Sequence, residues 1–136
     1  MGKALGIDFG TKRTGLAITD AMQIIASGLT TVLTHLLDDF IEDLVQKESI
    51  ECFVVGDPKN LDGSNTDNTG HVNGFIKRLK KNYPEITVHQ IDERFTSKIA
   101  KQSILASGIK KKERRNKALV DEVSATIILQ DYLDYK

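Results

Sequence analysis

An acidic residue stands inside the first apolar strand of this sequence, and it constrains the fold more than any other feature. Residues 5–18 have the pattern of a β-hairpin, because two apolar stretches flank a turn bounded by glycines. Asp8 alternates with apolar side chains and shares its face of the strand with the small Gly6. A charge on a buried strand is costly unless it is paired. Two interpretations stay open: Lys12 or Arg13 neutralises Asp8, or Asp8 is a metal ligand or catalytic acid.

The rest of the chain alternates strands with helices. We predict a strand over 29–33, a helix over 35–48 with Thr34 as its N-cap, a strand over 52–55, a helix over 67–82, a strand over 86–91 and helices over 97–107 and 118–135. Strands that are connected through helices pair in parallel and are covered on both faces. We therefore expect an α/β fold in a single domain over 1–136. Its central mixed five-stranded sheet has three antiparallel strands first, then parallel crossovers, and helices on both faces.

Acidic residues follow the first and last of these strands. In such folds sites form beyond the carboxyl ends of the strands, where Asp8 and the pair Asp92-Glu93 are expected. Asp121 lies in the first turns of the last helix, and the small pair Ser124-Ala125 would let that helix approach the sheet. A carboxylate cluster needs a cation, and hard oxygen ligands select Mg²⁺ or Mn²⁺. Such ions promote phosphoryl transfer and phosphodiester hydrolysis.

The cations of the chain are concentrated in its second half. The net charge is zero, with 19 basic and 19 acidic residues, but the range 77–117 holds 13 Lys or Arg against four acids. A helix face with Lys77, Arg78, Lys80 and Lys81 is most simply a solvated surface. The run 110–117 has no apolar periodicity and is expected to be an exposed loop that contacts phosphates. The expected nucleic-acid-binding residues are Lys12, Arg13, Arg94, Lys110, Lys111, Lys112, Arg114, Arg115 and Lys117.

Composition excludes several classes of protein. No segment has the apolar length of a membrane span, and the N-terminus lacks a signal-peptide core, so we expect a cytoplasmic protein without a membrane partner. The single cysteine, Cys52, excludes an internal disulfide and a cysteine zinc cluster, and its apolar neighbours indicate a small buried residue.

The motifs of the chain, taken in order, resemble those of the YqgF family in the ribonuclease H-like superfamily. The resemblance runs almost from end to end. It is carried by Gly6-Ile7-Asp8-Phe9-Gly10-Thr11-Lys12-Arg13, by Val55-Gly56-Asp57-Pro58, by Asp92-Glu93-Arg94-Phe95-Thr96-Ser97, and by Lys117 and Asp121 before Ser124-Ala125. Asp57 stands where the family usually has Leu. Three roles stay open for it: an additional ligand, a group that repels substrate, or a solvated loop acid.

The resemblance implies a ribonuclease H-like fold and a metal-dependent endonuclease. Members of the family are described as Holliday junction resolvases and as nucleases that mature the 5′ end of pre-16S ribosomal RNA. Carried over by position, the catalytic and metal-binding acids fall on Asp8, Glu93 and Asp121, with Asp92 as a further metal ligand. The expected cofactor is Mg²⁺ or Mn²⁺, and the expected partner is structured RNA or branched DNA. A homodimer would suit symmetric cutting of a junction.

Two other functions compete with a nuclease. Residues 8–11 also resemble the first phosphate loop of actin-like ATPases, but those proteins clamp the nucleotide between two such domains, and this chain has only one. A catalytically silent nucleic-acid-binding or ribosome-associated module would need only the basic surface. The presence of all the acids argues against that alternative.

Overall fold

The computed structural model describes residues 2–57, 69–92 and 117–135, with side-chain surroundings for residues 121–134 of the last range. These residues form the strands β1 (Lys3–Asp8), β2 (Arg13–Thr19), β3 (Ala26–Leu33), β4 (Ile50–Asp57) and β5 (Thr87–Asp92), and the helices α1 (Leu37–Lys47), α2 (Thr69–Asn82) and α3 (Lys117–Tyr135). A short 3-10 turn over Thr34–Leu36 precedes α1. The helix predicted over 97–107 lies outside the described residues.

The five strands form one mixed sheet in the order β3-β2-β1-β4-β5. β1 pairs antiparallel with β2, and β2 pairs antiparallel with β3. β4 runs parallel to β1, and β5 runs parallel to β4. The predicted mixed sheet is therefore confirmed. Its parallel pairs place the carboxyl ends of β1, β4 and β5 at one end of the sheet, where ligand sites are expected.

Alternate residues of the strands build two separate apolar layers. Leu5, Ile7, Phe53 and Val55 point to one face, where they pack in one cluster with buried residues of α1 and α2. The intervening residues, such as Ala4 and Val54, pack on the other face against buried residues of α3. Helices thus cover both faces of the sheet, as the parallel crossovers predicted. Cys52 belongs to the second layer as a free, buried cysteine, which confirms the prediction made for it.

One cation on the basic face of α2 packs against the apolar layer beneath α1 and α2. Phe75 of α2 stacks on Phe9, with ring centroids 4.8 Å apart. The guanidinium of Arg78 lies over the Phe75 ring and contacts a carboxylate oxygen of Asp38 at 3.4 Å. Lys77 of the same helix is exposed. The interpretation of this helix face as a solvated surface agrees with these contacts.

Helix α3 lies unusually close to the sheet, because the strands present glycines to it. A Cβ built on Gly6 would lie 2.8 Å from the Cβ of Leu129, and one built on Gly15 would lie 2.0 Å from the carbonyl oxygen of Asp121. Real Cβ atoms do not approach other atoms so closely. Ala125, whose carbonyl oxygen faces Gly6, is fully buried in this contact. The close approach that was predicted from Ser124-Ala125 is therefore confirmed.

No helix in the described parts of the chain is both long enough and apolar enough to cross a membrane.

Replacing Gly15 by Ala tests whether the close approach of α3 requires glycine. The new methyl group collides with backbone atoms of Asp121, which can move only if α3 moves. We expect Gly15→Ala to lower the free energy of unfolding by about 1–3 kcal/mol, measured by denaturant titration. Gly74→Ala in α2 is the matched control, because nothing lies within 4 Å of its added Cβ.

The control should move stability in the opposite direction. Alanine is a better helix former than glycine, so Gly74→Ala should raise the free energy of unfolding by about 0.5–1 kcal/mol. Equal effects of the two substitutions would contradict a close contact at Gly15.

Candidate active site

Asp8 and the turn of α3 that carries Asp121 lie on the same face of the sheet, on either side of Gly15. Asp8 ends β1, and its Cα partner in β2 is Gly15. The carbonyl oxygen of Asp121 is the nearest neighbour of a Cβ built on that glycine. Residues opposite each other on antiparallel strands carry their side chains on the same face. Half-buried Asp8 therefore faces the turn of α3 that carries Asp121.

Arg13 forms an ion pair with Asp121. Its Nε donates a hydrogen bond to Oδ2 of Asp121 at 3.1 Å, and the side chains of Arg13 and Asp121 are 36% and 25% exposed. The sequence suggested Arg13 either as a partner of Asp8 or as a contact for nucleic acid. Its ion pair in the structure is with Asp121, the acid on the terminal helix. Arg13, the first residue of β2, thus connects the hairpin to α3. It also holds a positive charge beside the predicted catalytic acids.

The turn between β1 and β2 is fixed by threonines that the sequence did not single out as site residues. The hydroxyl of Thr34 donates to the carbonyl oxygen of Gly10 at 2.6 Å, and its backbone N–H donates to the carbonyl oxygen of Lys12 at 2.9 Å. The hydroxyls of Thr14 and Thr34 also share a hydrogen bond of 2.9 Å. Thr14 is fully buried. These bonds hold the turn that positions Lys12 and Arg13.

The role predicted for Thr34 as an N-cap was wrong. Neither the 3-10 turn nor α1 has a side-chain cap hydrogen bond, and the residues in the cap positions are Leu33 and Leu36. Thr34 uses its hydroxyl for the neighbouring turn instead, because β3 ends directly beside residues 10–14. Local sequence favours capping by Thr, but the tertiary neighbour supplied a different acceptor.

Asp57 and Asp92 form a second pair of strand-end acids. They end β4 and β5 and are Cα partners in the parallel ladder. Asp57 continues the alternation of Phe53 and Val55, which face α1 and α2. Ile91, the residue before Asp92, packs in the layer under α3. The side chain of Asp92 therefore leaves β5 on the face of the sheet opposite to that of Asp8. On that face it lies beside Asp57 rather than beside Asp121.

Part of the predicted site lies outside the described residues. Glu93 and Arg94 do, and so do the cations Lys110, Lys111, Lys112, Arg114 and Arg115. Lys117 is the first residue of α3, and Lys12 is exposed in the turn after β1. Within residues 2–57, 69–92 and 117–135, no three His, Cys, Asp or Glu side chains group closely enough to hold a metal ion. The roles assigned to the undescribed residues stay predictions.

A pocket of about 280 Å³ lies at the opposite end of the strands. It is lined by Gln23, Glu51, Cys52, Thr87, His89 and Tyr132. Burial, and then the contact with the Cys52 thiol, raise the pKa of Tyr132 to about 12. The ring of His89 lies against Tyr132, with centroids 4.9 Å apart. The raised pKa keeps the Tyr132 phenol uncharged at neutral pH, and the pocket lies at the end of the sheet away from Asp8.

A double-mutant cycle measures how strongly Arg13 and Asp121 interact. Both side chains are partly exposed, so we expect Arg13→Gln and Asp121→Asn to show a coupling energy of about 0.5–1 kcal/mol in the free energy of unfolding. The pair Asp43 and Lys47 on α1 serves as control, since its side chains are 60% and 71% exposed. That pair should couple by about 0.3–0.5 kcal/mol. A coupling for Arg13 and Asp121 below that of the control would contradict the ion pair.

The sequence matches a known family over almost its whole length. Residues 2–135 match the family described as "RuvX: Holliday junction resolvase". A protein of Flavobacterium johnsoniae is 52% identical over 136 residues, which are 100% of this chain and 99% of the relative. A protein of Phocaeicola vulgatus is 54% identical over 136 residues, which are 100% of this chain and 98% of the relative. Both relatives carry the name "Putative pre-16S rRNA nuclease".

Two solved structures have the same fold. The structure titled "T. thermophilus RuvC in complex with Holliday junction substrate" superposes with a TM-score of 0.60 at 16% identity, covering 98% of this chain and 96% of that one. The structure titled "Thermus thermophilus RuvC structure" gives a TM-score of 0.54 at 15% identity, covering 97% and 96%. At such identities the likeness concerns the fold, which is the expected ribonuclease H-like one. The match over residues 2–135 and the relatives above 50% identity show that this chain belongs to the RuvX Holliday junction resolvase family.

Proposed function

We propose that this chain is a metal-dependent endonuclease that hydrolyses phosphodiester bonds in structured nucleic acid. Its substrate is the 5′ region of precursor 16S ribosomal RNA, a four-way DNA junction, or both, in keeping with the names of its family and of its relatives. The catalytic residues of this proposal are Asp8, Glu93 and Asp121. The observation that supports it is that Gly15 is the Cα partner of Asp8 and also lies against the backbone of Asp121.

The donor atoms at this meeting point suit Mg²⁺ or Mn²⁺. Asp8 and Asp121 offer carboxylate oxygens, the hard ligands that these ions prefer, from two elements that are far apart in the sequence. The ion pair between the Arg13 guanidinium and Asp121 indicates that the negative charge at Asp121 is stabilised by a positive partner. We therefore assign the cation to Asp8 and Asp121, with Glu93 as the third carboxylate. Asp92 is the weaker candidate for a metal ligand, because the alternation along β5 directs its side chain to the opposite face of the sheet.

Each described residue of the site has its own task in this proposal. A bound divalent cation would stabilise the charge that develops on the phosphate and lower the pKa of a water molecule. Asp8 and Asp121 hold that cation, and Arg13 orients the carboxylate of Asp121. Thr14 and Thr34 hold the turn in place, so that the exposed Lys12 can contact a phosphate next to the reacting bond.

A panel of substrates tests the proposed activity and separates the two substrate classes. Purified protein is incubated with Mg²⁺ or Mn²⁺ and a four-way DNA junction, a linear duplex, single-stranded RNA or a precursor ribosomal fragment. We expect cleavage of the junction or of the precursor and little cleavage of the linear controls. Tight binding without cleavage of any substrate would favour the silent binding module.

Asp8→Asn tests the catalytic and metal-binding role of Asp8. The amide keeps the shape of the side chain but loses the charge that holds the cation. Because a catalytic cation contributes several kcal/mol to transition-state stabilisation, we expect cleavage to fall by about a thousand-fold or more. The measurement is the single-turnover cleavage rate of folded protein. Cleavage at the wild-type rate would contradict the role of Asp8.

Thermal melts in EDTA and in Mn²⁺ test the same site without reference to activity. A cation that binds the native state at 100 times its dissociation constant stabilises that state by about 2.7 kcal/mol, so Mn²⁺ should raise Tm by roughly 10 °C. Asp8→Asn should lose this rise and melt no earlier than wild type in EDTA, since it removes one of the converging charges. Asp39→Asn on the exposed face of α1 should keep the full rise.

The basic run is tested by changing Lys110, Lys111, Lys112, Arg114 and Arg115 to glutamine. Each lost phosphate contact should lower the slope of log K against log salt by about 0.7–0.9, and affinity should fall for all nucleic acids alike. The measurement is a salt titration of binding to junction and RNA. Changing Lys77, Lys80 and Lys81 on α2 is the control, and it should reduce the slope less. An equal reduction in both proteins would contradict a special role for the run.

A further inference from the structure

The pocket of about 280 Å³ at the start of β4 and β5 is separated from Asp8 by the whole length of β1. Six residues of a strand span about 20 Å. We call this cavity the Glu51 pocket. Its lining comes from four parts of the chain: Gln23 before β3, Glu51 and Cys52 of β4, Thr87 and His89 of β5, and Tyr132 of α3. A concave surface on which a few polar groups and aromatic rings converge is the usual form of a ligand site.

A bulge at the start of β4 directs Glu51 into this pocket. Lys3 pairs with Ile50, and the next pair in the ladder is Ala4 with Cys52. Glu51 therefore has no Cα partner in β1. Successive residues of a regular strand point to opposite faces, whereas Glu51 and Cys52 both line the pocket. Bulges are rare in parallel pairs, and they often re-aim a side chain next to a functional site.

The buried Gln23 holds the carboxylate of Glu51 in place. Gln23 has a positive φ of 54°, which is uncommon for a residue with a side chain, and such outliers cluster at ligand sites. Its amide nitrogen donates to the carbonyl oxygen of Gly2 at 2.8 Å and to Oε2 of Glu51. In the part of the chain that the structure describes, nothing donates a hydrogen bond to Oε1 of Glu51. That oxygen can accept from a ligand.

Two aromatic rings form a wall of the pocket. The rings of His89 and Tyr132 have centroids 4.9 Å apart, and their planes are inclined by 30°. Because its pKa is raised to about 12, Tyr132 is an uncharged phenol at neutral pH. Both side chains are partly exposed, so a ligand can reach them. The face of a neutral aromatic ring attracts cations.

The surroundings of the Glu51 pocket are acidic. No Lys or Arg occurs within two positions along the chain of any lining residue, whereas the same stretches contain Glu51, Glu85, Asp131 and Asp134. Lys3 lies beside Ile50 in the ladder, but its Nζ is already paired with Glu48 at 2.8 Å. Such a field repels phosphates and favours a cationic ligand.

A metal ion does not suit this position. Hard divalent ions take about six oxygen ligands. Across residues 2–57, 69–92 and 117–135, no three His, Cys, Asp or Glu side chains are close enough together to hold one. The cation that fits one carboxylate and a wall of rings is an organic one.

We propose that the Glu51 pocket binds a guanidinium group. The guanidinium is planar, pairs through its N–H groups with carboxylates and stacks on aromatic faces. It would donate to Oε1 of Glu51 and to the hydroxyl of Thr87, and lie on the rings of His89 and Tyr132. An arginine side chain of a partner protein or a free small molecule can carry this group. The proposal does not depend on the nuclease activity, because the pocket lies away from Asp8.

An NMR titration of the full chain, without metal or nucleic acid, tests this binding, so its failure leaves the nuclease proposal intact. The probes are methylguanidinium, N-acetyl-arginine amide and, as the matched ammonium, N-acetyl-lysine amide. We expect the arginine compound to shift the signals of Thr87, His89 and Tyr132 with a Kd of about a millimolar or less. The lysine compound should bind at least about threefold more weakly, because an ammonium is compact and more strongly hydrated. Tighter binding of the arginine compound than of methylguanidinium would assign the site to an arginine side chain, and the reverse order to a free molecule.

Glu51→Gln tests the carboxylate. The amide keeps an oxygen for Gln23 to donate to but loses the charge, so the affinity for the arginine compound should fall at least about tenfold. Glu85→Gln is the matched control, because this exposed acid lies two residues before Thr87 and does not line the pocket. Its affinity should stay within about twofold of wild type. Equal losses in the two variants would show a diffuse acidic field and overturn the site.

Thr87→Lys tests the pocket from its exposed rim. The new ammonium lies beside Glu51 and competes with the ligand, so binding should be lost. Because residue 87 is exposed, Tm should change little, and the loss cannot come from unfolding. Three outcomes would overturn the proposal: no probe binds wild type up to about 10 mM, the lysine compound binds as well as the arginine compound, or folded Thr87→Lys binds as wild type does.

Discussion

The contact between the backbone of α3 and the side-chain-free positions of the sheet decides where the acids of this protein lie. Gly6 and Gly15 leave no Cβ between strand and helix, and the carbonyl oxygens of Ala125 and Asp121 occupy that space. The buried side chains of Ile128 and Leu129 then fix the helix along the strands. Van der Waals contact falls off within an ångström, so this packing determines the position of Asp121 more strictly than any charge interaction could.

That packing places the turn of α3 that carries Asp121 beside Gly15, the Cα partner of Asp8, and Arg13 forms an ion pair with Asp121. Like charges held close together raise the free energy of the native state, whereas an opposite charge nearby lowers it. Arg13 follows the turn held by Thr34, so the same hydrogen bonds that fix the turn also place the guanidinium at Asp121. A cation that binds at Asp8 and Asp121 would therefore enter a site whose charge is partly balanced already. The net stabilisation by such a cation would be smaller than for carboxylates without a positive neighbour.

The sequence predicted the strands and α-helices that the structure describes and the approach of α3, but not the partners of the site residues. Alternation in β1 and the small residues of α3 are local patterns that survive in the structure, so Asp8 and Asp121 could be placed together. Thr34 was misassigned because its acceptor belongs to a turn that is distant in sequence. The face of Asp92 depends on its register with Asp57, which the order of residues alone does not give. Ion-pair partners such as Arg13 and Asp121 depend on side-chain geometry in the same way.

Basic residues are absent from one continuous segment in the first half of the chain. Residues 14–46 carry no Lys or Arg, and this segment includes β2, β3 and α1. The acids of α1 would repel a polyanionic substrate. Lys12 lies outside this segment, in the exposed turn where β1 terminates, so the proposed substrate would approach that end of the sheet.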